Sequence, residues 1–149
     1  MNDYKQPVSV LVIIHTPRLD ILLLERAAHR GFWQSVTGSR EADEALIDTA
    51  RREALEETGL DAASFKLRDW QQSNTFEIFP EWRHRYAPGV THNVEHVFSL
   101  EIPARQTITI ALNEHVAYQW LPWQEAAERC FSWSNRDAIL ALGKGLIKG

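Results

Sequence analysis

The stretch GSREADEALIDTARREALEETGL, residues 38–60, decides the fold of this chain. Residues 44–58 contain no Gly or Pro and are rich in Ala, Leu, Glu and Arg, which predicts an α-helix. Gly59 follows it as a natural helix stop. Glu53, Glu56 and Glu57 stand at i, i+3 and i+4 of that helix, so we expect their side chains to project from one face.

This acidic face is unfavourable unless something positive neutralises it. Like charges at such spacing cost roughly 0.2–0.5 kcal/mol each, and the C-terminal half of a helix disfavours anions. Arg51 and Arg52 supply part of the compensation. A bound Mg²⁺, with Mn²⁺ as the alternative, would use the carboxylate oxygens directly and would also bridge the phosphates of a ligand. Most Glu-rich helix faces are merely solvated, so the face alone favours no site.

The surrounding spacing changes that interpretation. Gly38 is followed after five residues by Glu44, and after seven more by the run REALEETGL at residues 52–60. This resembles the signature of the Nudix hydrolases, G-x5-E-x7-R-E-U-x-E-E-x-G-U, where U is bulky and aliphatic. Seven such identities would coincide by chance with a probability on the order of one in a million. Ala54 departs from the pattern at a bulky position, and Ser39 and Asp43 stand where many relatives carry glycine.

The resemblance implies roles for the acidic residues. Glu53 and Glu57 would ligate the metal most directly, Glu56 would complete the site, and Arg52 would orient a carboxylate through paired hydrogen bonds. The attacking water needs a general base, and the candidates are Glu56 and the distant Glu114, which relatives often use as an added metal ligand or base. A solvated loop acid is the alternative for Glu114.

The resemblance also implies structural roles and a fold. Gly38, which lacks Cβ, would let the loop turn sharply and let its amide approach the helix or a phosphate. Glu44 would be structural. The family fold is an α/β/α sandwich around a mixed β-sheet, and the resemblance covers essentially the whole chain, residues 1–149.

The rest of the sequence agrees with an α/β class. Apolar runs at residues 7–15 and 20–25 predict two strands that pair, and residues 65–73 and 93–102 predict two more, with a long loop between them. Residues 107–110 and 118–121 predict short strands. Pro122 is expected as the first residue of a helix through Cys130, and Ser134, with Asp137 at capping-box spacing, as the N-cap of a terminal helix. The strand order is not readable.

Composition limits the class of protein. A chain of 149 residues with 44% apolar content fits one domain. The single Cys130 forms no internal disulfide and no zinc-site spacing is present, which favours a reducing, cytoplasmic setting. No signal-type or membrane-spanning run is found, so no membrane association is expected. A net charge of −4 argues against binding a nucleic-acid polymer. Monomer and homodimer are equally compatible.

Several segments outside the signature resemble one branch of the family, the bacterial dihydroneopterin triphosphate pyrophosphohydrolases, also described as dATP pyrophosphohydrolases. These segments are YKQPVS at 4–9, FWQSVTG at 32–38, FEIF at 76–79, RHRYAPGVT at 83–91, EH at 114–115 and SWSNR at 132–136. The resemblance implies a substrate-binding set: Lys5 and Arg26 for phosphates, Thr37 and Ser132 for hydrogen bonds, and Phe76, Glu77, Ile78, Phe79, Arg83 and Arg85.

The segment at residues 80–93 is compatible with such a role. It places Arg83 and Arg85 beside Trp82 and Tyr86, which offers cations for phosphates next to rings that stack on a flat heterocycle. The alternative is an exposed hairpin tip kept soluble by arginines. For the other positions the alternatives are an Arg26 that follows its strand into solvent and a Ser132 that caps a turn.

The resemblance therefore implies an enzyme that cleaves between the α and β phosphates of dihydroneopterin triphosphate, giving the monophosphate and pyrophosphate in folate synthesis. Two alternatives stay open. One is a pyrophosphohydrolase acting mainly on dATP or other nucleoside triphosphates, because the same metal site serves many leaving groups. The other is a non-catalytic nucleotide-binding module, which loss of the box carboxylates would favour; all of them are present.

Overall fold

The computed structural model describes residues 4–147, which form one seven-stranded mixed sheet with helices on two faces. The strands are β1 Val8–His15, β2 Asp20–Arg26, β3 Trp33–Gln34, β4 Val36–Ser39, β5 Lys66–Glu77, β6 His92–Glu101 and β7 His115–Pro122. The helices are α1 Leu46–Thr58, α2 Trp123–Arg129 and α3 Trp133–Gly143, and 3₁₀ turns lie at Ala62–Ser64 and Pro80–Arg85.

Strand β1 is the centre of the sheet, as its continuous apolar run predicts. It pairs in parallel with β6 along its whole length, from Val8 opposite Val94 to His15 opposite Glu101. On its other edge it pairs antiparallel with β4 and, at His15, with β2. Strand β2 in turn pairs with β3 and β7, and β5 lies outside β6. The predicted pairing of the first two strands is confirmed, although it is short because β4 occupies most of that edge.

The helices pack on the two faces of the sheet, and each face has its own hydrophobic core. On one face Ala50 and Ala54 of α1 pack against the even-numbered β1 side chains and Phe98. On the other face α2 and α3 cover the odd-numbered β1 side chains, with Ile139 fully buried. The predicted α/β/α arrangement is confirmed. Ala54 has no exposed surface, so a small residue at this signature position lets α1 lie close to the sheet.

Several helices and strands begin or end at residues other than those predicted from the sequence. Helix α1 begins two residues after Glu44, whose carboxylate accepts from the Glu41 amide at 2.9 Å and from Thr49 Oγ at 3.1 Å. Gly59 ends the helix in the left-handed conformation, with φ of 78° and its N–H bonded to Leu55, as expected. Strand β5 continues to Glu77, which together with the second 3₁₀ turn shortens the predicted long loop.

Three local predictions are wrong. Residues 107–110 form no strand, because the Thr109 amide bonds to the carbonyl of Thr58 at the end of α1 instead of to a neighbouring strand. Pro122 ends β7 and is the N-cap of α2, one position before its first residue. The N-cap of α3 is Ser132, whose hydroxyl accepts from the Asn135 amide, whereas Ser134 lies buried inside the first turn.

No helix within residues 4–147 is long and apolar enough to span a membrane.

Candidate active site

Two adjoining cavities form a groove across the ends of β1, β2 and β4. The first, about 830 Å³, is lined by Glu53, Glu57 and Glu114, and we call it the acidic cavity. The second, about 310 Å³, is lined by Phe79, Trp82 and Phe131 among others, and we call it the aromatic cavity. Both volumes lie in the range of small-molecule sites. Seven residues line both cavities: Lys5, Arg26, Gln34, Thr37, Gly38, Ser39 and Arg85.

Helix α1 carries two carboxyl groups into the acidic cavity. Glu53 and Glu57 are 8% and 1% exposed, because both lie on the side of the helix that packs toward the sheet. Glu56 lies on the outer flank with 54% of its side chain exposed and does not line either cavity. The structure therefore brings together two of the three glutamates that the spacing predicted to share a face.

Gly38 makes room for one of these carboxylates. It lies within β4, opposite Val10 of β1, and has no positive φ, so the predicted sharp turn is wrong. A Cβ atom at this position would overlap the carboxylate of Glu53. A glycine is needed here because the side chain of α1 rests directly on the strand backbone.

Arg52 connects the acidic residues on the outer side of the cavity. Its Nε and Nη2 donate to the two oxygens of Glu44, each at 2.9 Å, and its Nη1 donates to Glu53 at 2.7 Å. Nη2 also reaches the carbonyl of Ser39 at 3.0 Å. Donation by Arg52 lowers the pKa of Glu44 to about 2. Arg52 thus fixes the rotamer of Glu53 and ties α1 to β4.

Glu114 and His115 approach Glu57 from the start of β7. One ligand atom from each of the three residues lies within 4.8 Å of the other two. His115 Nε2 is 3.7 Å from Glu57 Oε1, while Glu57 Oε2 and His115 Nδ1 are buried without a hydrogen-bond partner among the described residues. Burial, together with the charge of Arg26, lowers the pKa of His115 to about 4, so its ring is neutral at neutral pH.

Three cations line the region shared by the cavities. Desolvation, Arg85 and Arg26 lower the pKa of Lys5, in that order of size. Burial, followed by Arg85, also lowers the pKa of Arg26, and its Nε is buried without a partner among the described residues. An anion that binds between these mutually repelling cations would stabilise them, and a phosphate group is such an anion.

The aromatic cavity is walled by rings from distant segments. The Arg26 guanidinium lies over the ring of Trp82 at 4.7 Å and over that of Phe131 at 5.9 Å. Phe79 stands beside Trp82 with ring centroids 4.9 Å apart. Thr37, Ser132, Arg85 and residues 76–79 also line this cavity. Arg83 does not, because it donates to Glu77 at 2.7 Å and to the Ile78 carbonyl at 3.0 Å.

A family comparison matches the NUDIX domain to residues 5–142. The chain belongs to the Nudix family. It is 47% identical over 139 residues to the dihydroneopterin triphosphate diphosphatase of Escherichia coli K12, with 91% of each chain covered. The enzyme of that name from Haemophilus influenzae is 42% identical over 142 residues, covering 93% of this chain and 89% of the relative.

Solved structures of Nudix proteins also match this chain. The E. coli dihydroneopterin triphosphate pyrophosphohydrolase superposes with a TM-score of 0.90 at 44% identity, covering 97% of this chain and 99% of its own. A Nudix hydrolase from Listeria monocytogenes gives 0.79 at 25% identity, covering 95% and 94%. The predicted family and fold are therefore confirmed, and the chain is a hydrolase of phosphoric anhydrides.

Nudix hydrolases generally use divalent metal ions, and the acidic cavity fits one. Burial raises the pKa of Glu53, and burial together with the neighbouring Glu53 raises that of Glu57 well above its usual value. Two desolvated carboxylates in contact need a positive charge, and Glu57 Oε2 has no other partner among the described residues. Carboxylate oxygens are the ligands of a hard cation such as Mg²⁺.

The sequence reasoning missed polar residues of the aromatic cavity. Asn93 and Glu95 on β6 are not among the predicted site residues, yet they are only 4% and 6% exposed. Both line the aromatic cavity. One sequence signal could have identified this site: Glu95 is a charged residue on a strand that helices cover on both faces of the sheet. His115 was missed likewise, although its neighbour Glu114 was not.

Proposed function

We propose that this Nudix protein is a Mg²⁺-dependent pyrophosphohydrolase that cleaves dihydroneopterin triphosphate to dihydroneopterin monophosphate and pyrophosphate. The observation that carries the proposal is the continuous groove, in which a ring-lined cavity and a carboxylate-lined cavity meet at Lys5, Arg26 and Arg85. The names of the relatives at 42% and 47% identity support the same substrate. Cytoplasmic action in folate biosynthesis remains a prediction.

The groove favours one orientation of the substrate. The flat heterocycle lies in the aromatic cavity, which the rings of Phe79, Trp82 and Phe131 line. The triphosphate then runs past Arg26 and Lys5 into the acidic cavity. These cations neutralise phosphate oxygens that would otherwise repel an attacking water, and they hold the chain in line for attack.

Glu53 and Glu57 would hold the divalent cation, with Mn²⁺ as an alternative to Mg²⁺, and Glu114 would join them. When bound, the cation supplies Lewis-acid polarisation of adjacent phosphate oxygens and stabilises the pyrophosphate that leaves. Arg52 holds Glu53 in place at 2.7 Å, so that its oxygens face the cavity without a change of rotamer.

The placement of the acids favours Glu114 over Glu56 as the general base. Glu114 lines the acidic cavity, whereas Glu56 lies on the outer flank and bonds to Arg52 at 3.4 Å. A base must be within hydrogen-bond reach of the water that it deprotonates, directly or through one further water. We therefore expect Glu114→Gln to lower kcat by at least about 100-fold and Glu56→Gln to lower it less.

The second candidate function is hydrolysis of dATP or other nucleoside triphosphates. Stacking walls accept many flat rings, so the aromatic cavity by itself does not discriminate strongly against adenine. A non-catalytic nucleotide-binding role is disfavoured because Glu53, Glu57 and Arg52 are all present and mutually oriented.

The test is a substrate panel with the purified full chain and Mg²⁺. Dihydroneopterin triphosphate and the nucleoside triphosphates are compared by kcat/KM, with pyrophosphate and orthophosphate measured separately. We expect pyrophosphate release and a preference for the pterin; comparable values for every triphosphate would refute the pterin assignment. Glu57→Gln should abolish turnover with the fold intact by circular dichroism, whereas Glu101→Gln, at the far end of β6, should behave as wild type.

A further inference from the structure

The aromatic cavity also has a polar wall. Asn93 and Glu95 stand on alternate positions of β6, so their side chains point to the same face of the sheet. Glu95 is directly opposite Ser9 of β1 in the parallel register. All three line the aromatic cavity, although Asn93 and Glu95 are almost completely removed from bulk solvent. No step of the proposed hydrolysis uses them.

The hydrogen bonds of this wall leave two acceptor oxygens without a donor from residues 4–147. Ser134 Oγ donates to Glu95 Oε1 at 2.8 Å, and no described residue donates to Oε2. Asn93 Nδ2 donates to Ser9 Oγ at 2.8 Å, which leaves Asn93 Oδ1 buried without a partner among the described residues. The amide of Asn135 bonds on both sides to Ser35 and contributes no free atom.

The free acceptors are energetically unfavourable in the ligand-free protein. Burial raises the pKa of Glu95 to about 7, and no described cation lies within 4 Å of its carboxylate. A buried carbonyl or carboxylate oxygen without a donor loses the hydrogen bond that water would have given it. Asn93 Oδ1 is such an atom, and Glu95, whose Oε2 accepts no hydrogen bond from a described residue, lines the same cavity, so a donor group on a ligand would complete both.

The hydrogen-bond donors on the edge of a flat heterocycle then decide which ligands this wall accepts. With its triphosphate chain toward the acidic cavity, a pterin presents its 2-amino group and N3–H at the far end of the ring. Adenine presents its 6-amino group at the corresponding end, while hypoxanthine presents a 6-oxo group and a single N1–H donor there. The hypoxanthine edge can donate to only one of the two oxygens, and its 6-oxo group makes no hydrogen bond with the other.

We propose that Glu95 Oε2 and Asn93 Oδ1 form an acceptor pair that selects heterocycles carrying an amino group at the end remote from the triphosphate. The inference rests on the proposed function only for the direction in which the substrate lies. Glu95 and Asn93 are the specificity-determining residues, and Ser134 is a positioning residue that holds Glu95 Oε1. The rings of Trp82 and Phe131 supply affinity without this discrimination.

The test compares ligands that differ only at that end. The full chain with Mg²⁺ is assayed at pH 8 with dATP against dITP, which exchange a 6-amino for a 6-oxo group, and with neopterin triphosphate against its 2-oxo analogue. We expect wild type to favour the amino member of each pair in kcat/KM by about 10- to 100-fold. If wild type has a similar kcat/KM for the amino and the oxo member of each pair, the inference is overturned without any variant.

Glu95→Gln should reduce both ratios about 10-fold or more, because an amide presents its own N–H or a weaker oxygen to the ligand. Asn93→Ala should reduce them as well, which keeps the test valid if one variant folds poorly. The matched control, Glu101→Gln, removes another carboxylate from β6 and should leave both ratios unchanged. Unchanged ratios in folded Glu95→Gln and Asn93→Ala would overturn the inference.

The outcomes separate the two proposals. Poor turnover of dihydroneopterin triphosphate relative to dATP would refute the proposed function, while the dATP to dITP ratio would still report on Glu95. Conversely, efficient pterin turnover with ratios that ignore Glu95 and Asn93 would leave the function in place and refute the acceptor pair.

Discussion

Replacement of Glu95 by Gln should stabilise the fold, and the size of the effect should depend on pH. Burial raises the pKa of Glu95 from 4.5 to about 7. At about 1.4 kcal/mol for each tenfold change in the protonation equilibrium, ionising this carboxyl in the folded protein costs about 3 kcal/mol more than in the unfolded chain. Because the folded pKa is raised, the stability contributed by Glu95 is complete below pH 4.5 and is lost as the pH rises through 7.

The glutamine is neutral at every pH and similar in size, so it does not carry this cost. Its amide retains a hydrogen bond with Ser134, whose hydroxyl both donates and accepts. We therefore expect Glu95→Gln to exceed wild type in free energy of unfolding by up to about 3 kcal/mol at pH 8.5, and by under about 1 kcal/mol at pH 5.

The assay is urea denaturation of both proteins at the two pH values without divalent metal, followed by tryptophan fluorescence. The difference between wild type and variant at each pH removes the contributions of other titrating groups. A difference that is equal at pH 5 and pH 8.5, or a variant that is less stable at pH 8.5, would refute the assignment of a buried carboxyl that resists ionisation.

Three further substitutions test the groove. Gly38→Ala places a methyl group on the carboxylate of Glu53, so Mn²⁺ affinity by calorimetry should fall about 10-fold or more; unchanged affinity would contradict the overlap. Arg52→Lys cannot hold both oxygens of Glu44 and also Glu53, so kcat should fall about 10- to 100-fold, and near-normal turnover would argue against its orienting role. Trp82→Ala should raise KM about 10-fold for pterin and adenine substrates alike, and a loss confined to one of them would count against stacking.

The part of the acidic cavity formed by β4 and α1 was predictable because its residues are close in sequence, whereas Glu114 lies 57 positions after Glu57 and was predicted only from the family resemblance. Spacing alone placed the carboxylates on a helix, but it did not say which of them would be buried. The rotation of α1 is set by Ala50 and Ala54, which pack on the sheet and bring Glu57, on the same stripe, to 1% exposure. Glu56 lies on the flank of that stripe and stays in solvent.

The aromatic half was only partly predictable because it is assembled from distant segments. Of the loop predicted to bind substrate, Trp82 and Arg85 line the aromatic cavity, whereas Arg83 donates to Glu77 and does not line it. The contact between Ser35 and Asn135 joins residues 100 positions apart, and no local spacing encodes it. Likewise Ser132 and Ser134 are both plausible caps in sequence, and only the nearby Glu95 explains why Ser134 is turned inward.

The division between the two cavities has a consequence for how such proteins diverge. The acids of α1 and their partner Gly38 lie within one continuous span of 20 residues, residues 38–57. The aromatic cavity is instead lined by side chains from β1, β6, the turn at Pro80–Arg85 and the start of α3. Single substitutions on β6 or α3 can therefore change which nucleobase or pterin is accepted, while the carboxylates of α1 and Glu114 stay unchanged.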